Sequence, residues 1–441
     1  VFFVLSNRTY RHLFLAQISS LIGTGLATVA LGLLAYRMAG GNAGVVLGTA
    51  LAIKMIAYVF VAPIASAFSE VLPRRRVLVT LDLIRAAMAL SLPFVTEIWQ
   101  IYVVIFLLQS ASAGFTPVFQ ATIPDILTSE KDYTNALSLS RLAYDLESLT
   151  SPMLAGLLLL LVSHEWLFVG TSIGFVASAM LVVSVLIPIP ALPVRRSIWD
   201  RTTRGLRIYL STPRLRGLFA ICIASAAAGS MVIVNTVLMV QQVFGLGERE
   251  TAWAFAAFGG GSMLAAFLLP KALERTTDRT AVMAGVAIMI GGLVGVAVAP
   301  DYQVLLMIFA VLGFGYSASQ TPAGRVLRRS SHSADRPSLF AAHFALSHFC
   351  WLFAYPLAGY ACAEFGMSAT AIILTVLASA GLALAFLLWP RIDAVEVEHS
   401  HADLPAGHPH WDEGHDRAGA HHVHRLVIDD IHPVWPETNV R

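Results

Sequence analysis

Runs of about 20 apolar residues recur along this chain, separated by short polar or Pro/Gly-rich breaks, and no other feature restricts its fold as strongly. A hydrocarbon core about 30 Å thick is crossed by about 20 residues of helix, and inside it every backbone N–H and C=O must find its partner within the segment. Repetition of such runs implies a bundle of spanning helices, not a single anchor. Composition agrees: 13% of the 441 residues are charged and 57% are hydrophobic, whereas soluble domains carry about a quarter charged residues. So few charges cannot cover a soluble surface of this size.

The runs lie near 12–37, 43–68, 76–96, 99–122, 134–162 and 166–189, and again near 215–243, 250–270, 280–299, 302–325, 337–363 and 367–389. The expected fold class is therefore an all-α membrane protein with twelve transmembrane helices. Charge placement sets the orientation. With the N-terminus inside, 24 Lys or Arg fall in cytoplasmic segments and only Arg37 and Arg249 fall outside, the asymmetry that orients polytopic proteins. The expected location is the cell (inner) membrane, multi-pass, with both termini cytoplasmic. The polar segment Ser6 to Arg11 leads straight into the first long run, so no cleavable leader is expected. Cys222, Cys350 and Cys362 all fall in apolar runs, which argues against a disulfide framework.

Three pairs of landmarks repeat. Glu70 and Glu274, Thr116-Pro117 and Thr321-Pro322, and Pro152 and Pro356 are separated by 204, 205 and 204 residues. Such agreement argues for two pseudo-symmetric six-helix halves, the parallel repeat of a secondary-transporter architecture. The expected domains are residues 1–190, a cytoplasmic linker 191–214, residues 215–390, and a tail 391–441. Within the linker, Trp199 to Leu210 has apolar residues at near-helical spacing and is expected to lie as a short helix on the inner membrane surface. The first 390 residues hold 25 Lys/Arg against 17 Asp/Glu, and the tail holds 4 against 10. The bundle is basic and the tail acidic.

That tail, expected to be disordered and cytoplasmic, carries nine of the fourteen histidines: His399, His401, His408, His410, His415, His421, His422, His424 and His432. Imidazole suits nickel, cobalt, zinc and copper, and His-x-His pairs in a flexible chain can converge on one ion without a preformed site. Glu396, Glu398, Asp403, Asp412, Glu413 and Asp416 are interleaved with them and attract divalent cations. A merely solvated acidic tail is the alternative.

Ionisable residues at membrane depth are costly and therefore informative. Arg141 and Asp145 fall four apart on one helical face and are expected to pair, as an internal salt bridge or as part of a path. Glu147 lies two positions on, about 200° round the helix, with no local basic partner in its own helix. Lys54 either snorkels or places a positive charge beside Asp145 or Glu147. Asp82 and Arg85, three apart near the cytoplasmic end of their run, read as structural. By the repeat, His348 falls at the depth of Asp145 and Glu147. His343 is five residues earlier, so the two histidines are not expected to hold one ion without a kink. For each of them, hydrogen-bonded packing and ligation stand side by side.

The loop Ser66-Ala-Phe-Ser-Glu70-Val-Leu-Pro-Arg74-Arg75-Arg76 resembles the loop signature of the major facilitator superfamily. Glu70 takes its acidic position and Arg74 and Arg75 its basic ones, whereas Ser66, Val71 and Pro73 depart from the usual Gly, Arg and Gly. The resemblance implies that Glu70, Arg74 and Arg75 latch the cytoplasmic ends of the two halves. Phe115-Thr-Pro-Val-Phe-Gln-Ala-Thr-Ile-Pro-Asp125 with Asn135-Ala-Leu is similar to exporters of small molecules and siderophores. Asp335 to Trp351, Ser140 to Glu147 and the tail resemble the histidine-tailed nickel-resistance exporters.

The reading that follows is a proton-coupled exporter of a divalent transition metal, nickel or cobalt, working by alternating access. Metal ion, protons and the lipid bilayer are its expected partners. It needs no resident cofactor and no nucleic acid, and is expected to act as a monomer. The alternatives are an exporter of drugs or metal chelates with a regulatory tail, and a membrane-anchored metal buffer or sensor. No nucleotide-binding loop, zinc-protease helix or catalytic triad appears, which excludes an enzyme.

Overall fold

Apolar runs that must close their own hydrogen bonds become helices, and the computed structural model of the chain consists of little else. It describes residues 2–39, 43–69, 72–159, 161–163, 165–188, 197–299, 301–391, 396–400 and 421–435. The first half holds α1 (Arg8–Ala39), α2 (Ala43–Ser69), α3 (Arg74–Ser91), α4 (Ile98–Ile126), α5 (Glu130–Leu159) and α6 (Glu165–Val183). A linker helix follows, α7 (Ile198–Ser211). The second half holds α8 (Pro213–Leu238), α9 (Glu248–Ala272), α10 (Asp278–Ala297), α11 (Tyr302–Gln320), α12 (Ala323–Arg329) and α13 (Arg336–Leu388). Where polar loops enter helices, side-chain oxygens take up orphan N–H groups: Ser197 accepts from Asp200 at α7, Thr277 from Thr280 at α10, and Asp301 from Val304 at α11.

Among the described residues, nine segments are long and apolar enough to cross a membrane, so the chain is a polytopic membrane protein. The expected twelve runs are distributed differently. The eleventh and twelfth share the 53-residue α13, broken only at Gly366, whose φ of 79° no L side chain adopts readily. The tenth is divided at Thr321-Pro322, where proline has no N–H to continue the ladder, leaving α11 and the short α12. In α2 only Ala52–Ala67 appears as a shorter apolar helix. α5, which carries Arg141, Asp145 and Glu147, is not among the nine.

Packing repeats between the halves. α1 packs on α6, α2 on α4, and α3 on α4 and α6; α8 packs on α13, α9 on α11, and α10 on α11 and α13. At the α9–α11 contact the backbones nearly touch: a Cβ on Gly261 would meet the Ala310 carbonyl oxygen at 1.8 Å, and one on Gly313 the Phe258 carbonyl oxygen at 1.8 Å. Across the halves, α2 and α4 meet α13 and α5 meets α9. The linker helix contacts both α13 and α2. It buries Arg204, Ile208 and Tyr209 and leaves Trp199, Leu206 and Leu210 exposed, a face suited to the membrane boundary.

The described segments of the tail, 396–400 and 421–435, are ordered where disorder was expected. Glu396–Ser400 forms β1 and His421–Arg425 forms β2, paired antiparallel with His399 opposite His422. Alternating sequences on both sides allow that ladder. Next in the chain, Leu426, Val427 and Ile428 are all buried, and Ile428 joins the core of the second half. Each such burial contributes about 1.5–3 kcal/mol, which a purely polar reading of the tail overlooks. Asp429 then accepts hydrogen bonds from the backbone N–H groups of Ile431 (2.9 Å) and His432 (2.7 Å), and from His432 Nδ1 (2.9 Å). His332 Nε2 lies 3.4 Å from its other oxygen. Burial pushes the Asp429 carboxyl up, but hydrogen bonds from His332 and His432 outweigh it and hold the group well below the usual carboxylate range.

Candidate transport path

Between the halves lies a cavity of about 450 Å³, lined from the first half by Gln17, Tyr58, Gln120, Ser140, Arg141 and Tyr144, and from the second by Tyr316, Gln320, His343 and His348. A second chamber, of about 280 Å³, lies within the first half against Thr24, Lys54, Arg85, Gln109 and Glu147. Gln17, Tyr58, Thr116, Phe119 and Tyr144 line both. Tyr58 is therefore part of the partition. Its hydroxyl donates to Gln109 Oε1 (3.0 Å), while its ring packs against Phe344 and, edge-on at 4.8 Å, against His348 of the other half.

The structure thus brings five of the six residues expected on the path to these two chambers: Arg141, His343 and His348 to the larger, Lys54 and Glu147 to the smaller. Asp145 lies on α5, but its side chain is outside the described residues, and so is its expected pairing with Arg141. Arg141 reaches across the interface: Nε donates to Ser262 Oγ (3.1 Å) and the guanidinium lies 4.8 Å from the Tyr316 ring centroid. Glu147 is half-buried where it borders the smaller chamber. Lys54 Nζ lies 5.5 Å from the centre of the Tyr58 ring.

The two histidines differ in their partners. His348 Nδ1 lies 2.7 Å from the Phe344 carbonyl oxygen one turn earlier. A carbonyl only accepts, so Nδ1 carries the hydrogen and the neutral ring leaves its Nε2 lone pair for another group. His343 Nδ1 is 3.0 Å from the Tyr209 hydroxyl, which ties it to the linker helix. Both rings nevertheless border one cavity. Among the described residues, no group of three or more His, Cys, Asp or Glu is placed to hold a metal ion. Of the tail histidines, His432 is packed against Asp429 and not offered on a flexible chain, contrary to expectation, because the apolar run before it docks. The side chains of His399, His421, His422 and His424, and all of His401, His408, His410 and His415, are outside the described residues.

At the end of the bundle that carries the linker, ion pairs join the halves. Asp125 of α4 pairs with both Arg74 and Arg336, and Arg74 also donates to the Ser333 carbonyl oxygen (3.1 Å). Glu130 pairs with Arg325 at 2.7 Å and Lys131 with Glu274 at 3.4 Å. Arg74, expected in the latch, thus touches the second half through the Ser333 carbonyl oxygen. Arg75 does not cross, since its guanidinium donates to the Val183 carbonyl oxygen of its own half. Glu70 is outside the described residues. Among the described residues, the acid that pairs with Arg74 is Asp125, present in the sequence at the end of a helix but separated from Arg74 by 51 residues. Deeper in the first half, buried Asp82 pairs with Arg85 and accepts from Ser178 (2.8 Å), and Arg85 lies between the rings of Phe115 and Phe175. The structural reading of that pair fits its enclosure.

Two packed halves around a shared cavity, closed at one end by ion pairs, have counterparts of known structure. The human organic anion transporter MFSD10 (TETRAN) superposes with a TM-score of 0.75 at 14% identity, covering 86% of this chain and 99% of that one. A bacterial homologue of the iron transporter ferroportin, in an outward-facing state, gives 0.67 at 15% identity, with 86% and 97% covered. The same homologue with soaked iron gives 0.69 at 13% identity, with 86% and 98% covered. Likeness at this identity is a likeness of fold. Among curated proteins none matches the sequence. Family similarity, by contrast, spans nearly the whole bundle, over residues 13–252 and, overlapping, 218–413. With that span and this architecture, the chain is a membrane transporter and not an enzyme, and it belongs to the Major Facilitator Superfamily.

Proposed function

We propose that the chain is a proton-coupled exporter of a divalent transition metal, nickel or cobalt. It works as a monomer by alternating access between its halves, in the inner membrane with both termini cytoplasmic. The observation that carries the metal reading is His348: its ring borders the cavity and its Nδ1 is fixed by a carbonyl, the arrangement in which a hydrogen-bonded carbonyl orients an imidazole for ligation through Nε2. The histidine tail supports it, because metal gathered at the linker end would raise the local concentration at the cytoplasmic mouth. A homologue of an iron transporter shares the fold. Glu147, beyond the Tyr58 partition, would couple the flows, since a doubly charged ion favours the ionised carboxylate and a proton displaces it.

A second reading, an exporter of metal chelates or other organic anions, is favoured by the cavity itself. About 450 Å³ falls within the range of about 300–1,000 Å³ usual for small-molecule sites. Lys54 and Arg141 give the chambers positive charge, and the human protein of like fold is an organic anion transporter. Flux driven by a proton gradient into proteoliposomes separates the two. Free nickel should be carried by the wild type, lost in Glu147→Gln, and carried at raised half-saturation by His348→Ala. Transport of a nickel chelate without free nickel would establish the second reading. Wild-type nickel flux in both variants would remove Glu147 and His348 from the path.

A further inference from the structure

The loop between α12 and α13, residues 330–335, is held from two sides. Facing the first half, the Ser333 carbonyl accepts from Arg74, and Arg336, which opens α13, pairs with Asp125. Behind it stand the linker helix and the tail. Arg204 of α7 grips Asp335 through Nε (2.6 Å) and one terminal nitrogen (3.0 Å), and its other terminal nitrogen takes Asp430 of the tail at 2.7 Å. His332 faces Asp429, and the Arg214 guanidinium lies 5.1 Å from the Trp435 ring centroid. The tail thus completes a cluster that joins the gate loop to the linker helix.

The linker helix is the bridge between the halves, since it packs on both α13 and α2. Its contact with α13 is backbone to backbone: a Cβ on Gly205 would lie 1.9 Å from the Ser338 carbonyl oxygen. Opening the linker end by a rigid-body motion must separate Arg336 from Asp125 and move α7 off one of its two neighbours. Asp430 is exposed, so its ion pair is screened and the buried run Leu426–Ile428 supplies most of the docking.

We propose that residues 426–435 form an intramolecular clasp that pins the linker helix and the gate loop on the second half, holding the linker end of the transporter closed until the clasp is released. The clasp is continuous with the histidine-bearing strand β2, which places the acidic, histidine-rich stretch directly upstream of it. Autoinhibition by this segment is independent of which cargo the cavity takes.

Spin labels on Arg76→Cys and Arg275→Cys, both exposed at the linker end and in opposite halves, report the closure by their distance distribution in the full-length protein, with the native cysteines replaced by alanine and no metal present. Truncation after Arg425 and, separately, Ile428→Asp should each raise the ratio of long to short distances several-fold, with the bundle still folded by thermal melting. Ile428→Leu should keep the wild-type distribution. If the truncated protein fails to fold, Ile428→Asp decides alone. An unchanged distribution in a folded Ile428→Asp protein overturns the clasp.

Discussion

Asp82 illustrates how a single ionised group is kept at membrane depth. It is fully buried, and Arg85, Ser178 and the flanking aromatic rings supply what water would. Removing one partner of such a pair strands the other charge, at a cost of about 3–5 kcal/mol, whereas exposed pairs such as Lys131–Glu274 are worth about 0–1 kcal/mol. Asp82→Asn should therefore lower the melting temperature in detergent markedly and Glu274→Gln should barely move it. Equal, small shifts in the two variants would show that Arg85 finds another partner. Tyr58 and Asp125 belong to the same scale but were not legible from sequence. A tyrosine in an apolar run and an acid at a helix end are common, and only the approach of His348 and Arg336 gives them a role.

Elements meet here through small residues. The contact of α9 with α11 leaves no space for a methyl group at Gly313, because the atom in the way is the Phe258 carbonyl oxygen, which belongs to backbone and cannot rotate aside. Gly313→Ala should force the two helices apart and lower both yield and melting temperature, while Gly291→Ala, which meets nothing within 4 Å, should be tolerated. Comparable melting of the two variants would contradict the close packing. The break at Gly366 could be anticipated from the two apolar runs on either side of it, but the strands β1 and β2 could not. Their pairing partners lie 20 or more residues apart across a polar stretch, beyond the reach of local periodicity.

For the whole molecule, the tail is the part whose contribution can be separated from the bundle. Truncation after Arg391 should abolish high-capacity nickel binding at pH 7.5 while residual flux persists, since the path runs between the halves. Binding to the full-length protein should weaken below about pH 6, because imidazole must be neutral to ligate and its unperturbed pKa is about 6.5. Undiminished binding after truncation, or binding indifferent to pH between 5 and 8, would take the histidine tail out of the mechanism. As truncation also removes the clasp, flux per bound metal should rise in the shortened protein even as total binding falls.

Hydrophobic run length determined, without any structure, that this is a polytopic helical membrane protein, and charge asymmetry and the repeat of about 204 residues set the expected orientation and the expected two halves. Each of those signals is local or periodic, and the bilayer forces a local answer because every backbone group must be satisfied within its own helix. The tertiary structure decided what lies between helices: Tyr58 as a partition, Asp125 pairing with both Arg74 and Arg336, Arg141 reaching Ser262, and Leu426–Trp435 docked behind the gate loop. Those pairings join residues far apart in the chain, and their strength comes from geometry and burial that only the packed halves create.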